Sequence, residues 1–188
     1  MNKKTPFERY LKHLDDIFIV EPEFNMFDST NPKLSGVTSI IYKDIPEKGM
    51  ITGVTYGLSL EKHDEWLKNK RGELIITVNS EKTDWALVVG YIANKLRGET
   101  PFCYGDTINF GEKISNDSEM SAFTIFAPSI LESEDYLDID IGLNYKINIS
   151  GLYPIYSSEI DFINSNGFEK FLDHENFDLY SINRNKVE

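Results

Sequence analysis

The sequence predicts an α+β protein, a mixed α/β sandwich in which one mixed, largely antiparallel β-sheet has helices packed on it. Strand-like segments dominate the middle of the chain, helix-like periods bracket them, and the regular strand–helix alternation of a doubly wound parallel sheet is missing. The 188 residues suffice for one buried core, and 40% hydrophobic with 13% aromatic residues is a composition that folds. No repeat, low-complexity tract or linker divides the chain, so residues 1–188 read as a single domain.

The first element begins at Thr5, Pro6 and Glu8, which read as an N-cap, a proline in the first turn and the glutamate of a capping box. Phe7, Tyr10, Leu11, Leu14, Ile17 and Phe18 then recur on one face of a 3.6-residue period, which predicts an amphipathic helix over 6–16. After the loop-like NMFDSTNPKLSG, VTSIIYKDI and MITGVTYGLSL are β-rich, and PEKG between them supplies turn chemistry for a hairpin. GELIITVNS reads as a short apolar strand running into TDWALVVGYIANKLRG. There Trp85, Val88, Val89, Ile92 and Leu96 share a helical face, and Gly98 takes the C′ position. TINF, SAFTIFA and the alternating GLNYKINISGLYPIY are strand-like, whereas SEIDFINS and GFEKFLDHE read as two short helices.

Charge narrows the function. The balance of 19 basic to 31 acidic residues gives −12, which repels nucleic-acid backbones and anionic lipid. Residues 1–94 hold 12 basic and 14 acidic residues and residues 95–188 hold 7 and 17, so the acid belongs to the second half. A single cysteine precludes internal disulfides and multi-cysteine zinc sites, charges at Glu8, Arg9 and Lys12 interrupt any signal-peptide core, and no apolar run approaches a membrane span. A cytoplasmic protein contacting neither nucleic acid nor membrane is the expectation.

Catalytic and cofactor motifs are missing. Neither GxGxxG nor GxxxxGK[ST] occurs, so nothing cradles phosphate, and GxSxG is absent. His13, His63 and His174 are too far apart in sequence to pair on zinc, and are expected to be exposed. Cys103, in TPFCYGD, has no basic neighbour to lower its pKa and is expected to fill a small core position. No enzyme activity, cofactor or metal is expected.

The densest acidic stretch is ESEDYLDID, with Glu132, Glu134, Asp135, Asp138 and Asp140. It does not match a calcium loop: Asp138, Asp140 and Gly142 preserve a fragment, and the next carboxylate is Glu159. Asp138 and Asp140 could share one face of a strand, as any alternating acidic strand would. Two readings remain: a solvated loop leading to an edge strand, or a face that steers a basic partner, anchored by Tyr136 and Leu137. Favouring the second, no basic residue lies between Lys113 and Lys146, while Asp117 and Glu119 add to the five acids.

Three collinear segments, ITGVTYGLS at 51–59, GELIITVNSEKTDWALVVGYIAN at 72–94 and GLYPIYSSEIDFINSNGFEKFLD at 151–173, resemble the suppressor of fused family in its bacterial single-domain form. The shared positions are Thr55, Gly57, Leu58 and Ser59, then Glu73 and Leu74, Trp85, and finally Pro154, Ile155 and Glu159. The resemblance covers roughly residues 35–184. Gly57 also suggests a bulge or close backbone approach and Pro154 a strand end, so these positions are expected to keep the fold rather than to catalyse. The resemblance implies a mixed α/β fold and a protein-binding role. Animal members hold a transcription-factor peptide by strand addition, and bacterial members are similar to immunity proteins encoded beside polymorphic toxins, including nucleases. The resulting expectation is an immunity (antitoxin) protein that neutralises a basic, nuclease-type toxin domain. The alternative is a non-catalytic adaptor that binds a peptide by strand addition at a sheet edge.

Overall fold

The structure is a computed structural model and describes residues 4–188. Helix α1 (Pro6–Phe18) opens with the expected capping box: the Glu8 amide donates to the Thr5 hydroxyl at 3.2 Å, and the Thr5 amide donates to the Glu8 carboxylate at 2.7 Å. It runs two residues past the expected end, because Phe18 is buried against Tyr42, their ring centroids 4.5 Å apart. Ile19, in the left-handed region, then stops it.

Strands β1 (Glu23–Phe27), β2 (Val37–Lys43), β3 (Ile51–Tyr56) and β4 (Lys70–Val78) pair in sequence as an antiparallel meander. The β2–β3 hairpin falls where the alternating segments and PEKG place it, with Lys43 opposite Ile51 and Thr38 opposite Tyr56. A single 3₁₀ turn, Leu58–Leu60, follows β3. Helix α2 (Thr83–Leu96) leads away from β4 and ends before Gly98, whose φ of +80° suits the expected C′ glycine. Then come β5 (Thr107–Asn109), β6 (Ala122–Phe126), a one-turn α3 (Ser133–Tyr136), β7 (Lys146–Ile155), α4 (Ser158–Asn166) and α5 (Phe168–Leu172). The sheet order is β1-β2-β3-β4-β7-β6-β5. β7 joins β4 in parallel, from Lys70 opposite Lys146 to Ile75 opposite Gly151, and pairs antiparallel with β6.

Strand β1 departs from the sequence reading, which begins a loop at Asn25. EFNMF follows Pro22 and mixes strand-favouring Phe24 and Phe27 with strand-disfavouring Glu23 and Asn25. It becomes a strand because β2 offers it a row of backbone partners, and tertiary context outweighs local preference.

Helices cover both faces of the sheet, since its central strands are apolar on both sides. On one face Trp85, Val89, Ile92 and Ala93 of α2 pack on Val37, Ile41, Leu74 and Ile76. On the other, Tyr10, Leu14 and Phe18 of α1 pack on Ile40, Val54, Ile147 and Ile149, and Leu131, Ile139 and Ile141 complete this cluster. A smaller cluster joins Ile163 of α4 and Phe171 of α5 to Ala122, Ile155 and Val187. Among the described residues no helix is long and apolar enough to cross a membrane.

The seating of α2 depends on Gly53 in β3. A Cβ there would stand 2.7 Å from Ala86 Cα and 2.8 Å from Ala86 O, so the helix lies directly on the strand backbone. Gly53→Ala is expected to force them apart and cost about 1–3 kcal/mol. Urea unfolding would show this as a lower midpoint with an unchanged slope. An unchanged midpoint would mean that the helix is not held at this distance.

Candidate protein-interaction surface

The motif positions form two buried carboxylate networks rather than an open site. Glu73 is fully buried near the start of β4. Its carboxylate accepts the Thr55 hydroxyl at 2.6 Å, the Gly57 amide at 2.9 Å, and the Ser59 hydroxyl and amide at 2.7 and 3.1 Å. Thr55 Oγ1 also accepts the Leu74 amide at 2.8 Å, which ties the two strands through one hydroxyl. Burial pushes the Glu73 pKa up, against the lowering effect of the donors from Thr55, Ser59 and Gly57. Gly57 has a φ of +122°, and a Cβ would meet Gly36 O at 2.8 Å, which is the close backbone approach expected of it.

Glu159, at the first turn of α4, is the second node. Arg184 clamps it in two bonds, Nη1 to Oε1 at 2.6 Å and Nη2 to Oε2 at 2.7 Å, with both side chains buried. The amides of Tyr156 and Val187 donate to the same carboxylate at 2.9 and 2.8 Å. The Arg184 guanidinium lies 5.1 Å from the Phe177 ring centroid. The C-terminal segment is thereby fastened to the body of the protein. Trp85 is buried in α2, its indole N–H donating to Asp117 at 3.2 Å, and Pro154 lies in β7 beyond the last β4–β7 pair. None of these groups opens to a substrate.

ESEDYLDID forms a strap over the α1 face, with Ile139 turned inward and charge turned outward. It is not a strand: Glu132 and Asp135 cap the single turn α3, Asp138 takes a φ of +57°, and only Ile139 bridges to β7, at Ile147. Its carboxylates divide into two sets. Asp138 pairs with Lys70 at 2.8 Å and Asp140 with Lys146 at 2.6 Å, while Glu119, which leads into the far end of β6, pairs with Lys113. Lys146 and the amide of Gly142 hold the Asp140 pKa below the usual carboxylate range. Asp117 is occupied by Ser80 and Trp85. Glu132, Glu134 and Asp135 have no cationic partner among the described residues. The acidic field is thus more concentrated than the sequence suggests, because Lys70, 68 positions away, and Lys146, just beyond the stretch, pair with its second half.

Beside this turn is a cavity of about 270 Å³ at the start of the parallel β4–β7 pair, lined by Trp66, Leu67, Phe102, Cys103, Tyr104 and Leu137 among others. Leu67, Tyr104 and Leu137 are unusually open for their types, at 67, 51 and 39% exposure. The sequence reading names only Leu137 of these. A Trp–Leu pair inside the polar run HDEWLKNKRG, and tyrosine in the turn TPFCYGD, are the signals that would have found the others. Cys103 is exposed in this lining rather than buried, because the Asp106 carboxylate accepts its amide and holds it in an outward turn. Desolvation, Asp106 and Glu65 raise its thiol pKa, so it is not an activated nucleophile. The histidines are half-buried rather than exposed, and His13 Nε2 bonds to the Asp135 carbonyl oxygen at 2.7 Å, tying α1 to α3. Among the described residues no group of three or more His, Cys, Asp or Glu side chains is placed to hold a metal ion.

A mixed sheet clothed by helices on both faces, with its buried glutamates holding segments together and an acidic, aromatic rim left outside, is the architecture of a suppressor-of-fused-like domain. The chain belongs to the suppressor of fused family, whose model matches residues 31–185, a family of regulatory, non-catalytic interaction domains. Its fold is similar to that of a putative suppressor of fused homologue from Neisseria gonorrhoeae, at 19% identity and a TM-score of 0.71, covering 95% of this chain and 94% of that one. It is also similar to a chain of the Sufu–Fu complex, at 14% identity and a TM-score of 0.67, covering 98% and 93%. Drosophila Suppressor of Fused matches at 13% identity and a TM-score of 0.65, with 95% of this chain spanning 49% of that protein. No curated protein matches the chain in sequence.

Two measurements test the buried nodes. Arg184→Ala leaves Glu159 buried without its counter-ion and is expected to cost roughly 3–5 kcal/mol, with early loss of amide protection in the C-terminal segment. Full retention of stability would remove Glu159 from the structural account. For Glu73, the folded pKa is raised, so its contribution is present below the unfolded pKa and declines as pH rises through the folded value. The stability of the parent relative to Glu73→Gln, measured by denaturant unfolding, should therefore decline from acid to neutral pH. The same decline in the variant would assign it to another group.

Proposed function

We propose that this chain is an immunity protein of the bacterial cytoplasm that binds a cognate basic toxin domain, of nuclease type, and neutralises it by covering its active surface. The observation that carries this reading is the α3 turn. It offers Glu132, Glu134 and Asp135 without cationic partners beside the exposed Leu137, Tyr104 and Leu67. A nuclease must be positively charged around its substrate, and a carrier of −12 matches that potential. Charge steers the encounter, and apolar side chains beside it supply the contacts that slow dissociation. Tyr136 belongs to the same turn but is half-buried in the α1-face cluster, so it supports the rim from beneath.

A second reading, a peptide-binding adaptor acting by strand addition, is favoured by one observation: β1 ends the sheet with its outer side unpaired among the described residues. Ionic strength separates the two readings. A steered acidic interface loses association rate steeply as salt rises, and a backbone-paired strand much less.

The test is whether a gene beside this chain's own encodes a basic toxin domain, and association with that domain; a neighbourhood without one would contradict the reading. Reversing Glu132, Glu134 and Asp135 together to lysine should slow association at low salt by about tenfold or more and flatten its salt dependence, with a small fall in thermal midpoint from the lost α3 cap, while Glu134→Lys alone should slow association at an unchanged midpoint. Reversing Asp138 and Asp140 instead should disturb the local structure held by Lys70 and Lys146 and change association less. A triple variant that binds and protects cells like the parent would contradict the assignment of this surface.

A further inference from the structure

An open apolar patch runs along the β1 edge and the turn that precedes it. Ile19, Val20, Phe24 and Met26 follow one another along it at 84, 40, 49 and 82% exposure. Phe24 and Met26 project to the α1 side, where Phe24 meets Phe7 at 6.2 Å and both line a cavity of about 480 Å³ with Leu34 and Tyr56. Edge strands in soluble proteins are ordinarily blunted by lysine or by proline within the strand. β1 has neither, and its one charge, Glu23, is neutralised by Lys43 at 2.6 Å.

We infer that this edge is a self-association surface on which the β1 of a second copy pairs antiparallel about a two-fold axis at Asn25. The occupant follows from the strand's own order. With Asn25 opposite Asn25 of the other copy, Phe24 falls opposite Met26, Glu23 opposite Phe27, Pro22 opposite Asp28 and Glu21 opposite Ser29. No like charges face each other, and the two Phe24–Met26 pairs close the two cavities into one apolar band. A shift of two residues along the strand would break this match, placing Glu23 opposite Glu23 or Phe27 opposite Phe27 with Met26 opposite Asp28. Five paired residues and a few apolar side chains per copy lie at the low end of specific interfaces, near ~1,000 Å², so the dimer forms at high protein concentration and dissociates on dilution. Because each copy carries −12, salt strengthens this association, opposite to its effect on an acidic face meeting a basic toxin. The inference is independent of the immunity reading, and it fills the edge that an adaptor would offer to a foreign peptide.

The experiment is sedimentation velocity from low micromolar to near-millimolar concentration at low and high salt, on the parent and on Met26→Lys. It is joined by oxidative cross-linking of Asn25→Cys and Glu23→Cys in a Cys103→Ser background. The expected result is a dimer that grows with concentration and salt and is lost in Met26→Lys at an unchanged thermal midpoint. Asn25→Cys should cross-link, because residues opposite each other lie about 4.5–5.5 Å apart between Cα atoms, within disulfide range. Glu23→Cys should not, its mate being displaced by four residues, about 14 Å along the strand. A monomer throughout, a foreign strand binding the edge of a monomer, a dimer persisting in Met26→Lys, or equal cross-linking of the two cysteines would each overturn the proposal.

Discussion

A single carboxylate near the start of β4 fixes the corner from which the sheet, α2 and the loop before β2 are all positioned. Glu73 is fully buried, and an ionised carboxylate can occupy such a site only when its lone pairs are answered by donors. Thr55, Gly57 and Ser59 answer them from the end of β3 and the turn that follows, so that turn has little freedom left. Its carbonyls are taken up in turn: Arg97 at the end of α2 donates to Gly57 O and also to Ser35 O in the loop before β2, and Arg71 donates to Ser59 O. One buried charge thereby sets the path of three segments. Glu159 does the same for the C-terminal segment with Arg184, so the two glutamates of the motif serve one purpose at two places.

Much of this was legible because local signals agreed with tertiary demands. Thr5, Pro6 and Glu8 make a capping box whatever the rest of the chain does, and the apolar period of α2 finds a sheet to lie on. The central strands show their place through near-continuous apolar runs. What escaped was whatever depends on a distant partner. β1 exists because β2 lends it an edge, Ile17 and Phe18 join α1 because Tyr42 waits beneath them, and Cys103 turns outward because Asp106 holds its amide. The roles of Glu73 and Glu159 were readable only as keepers of the fold, since apart from the Tyr156 amide the groups that satisfy them lie 14 to 28 positions away.

The acidic surface shows the same limit. A run of carboxylates without intervening lysines looks like a uniform field along the chain, yet Lys70 and Lys146 neutralise its second half and leave the charge on one helical turn. That turn stands beside exposed aromatic and aliphatic side chains contributed by two other segments. The fold thus keeps its buried charges for construction and presents its free charges together with apolar contacts. The two open surfaces are chemically different: the α3 rim is acidic and aromatic, and the β1 edge is locally neutral and apolar. Salt therefore acts on them in opposite directions.

The central claim is that partner contact occurs at the α3 rim while the carboxylate nodes remain scaffold. Hydrogen exchange of the chain, alone and bound to a basic nuclease-type toxin domain of the kind proposed as its partner, tests this directly. The account predicts new protection confined to residues 101–106 and 132–138, with the amides of Gly57, Ser59 and Val187 equally protected in both states. Protection centred on another surface with the α3 turn unchanged, or an opening of the Glu73 corner on binding, would contradict it.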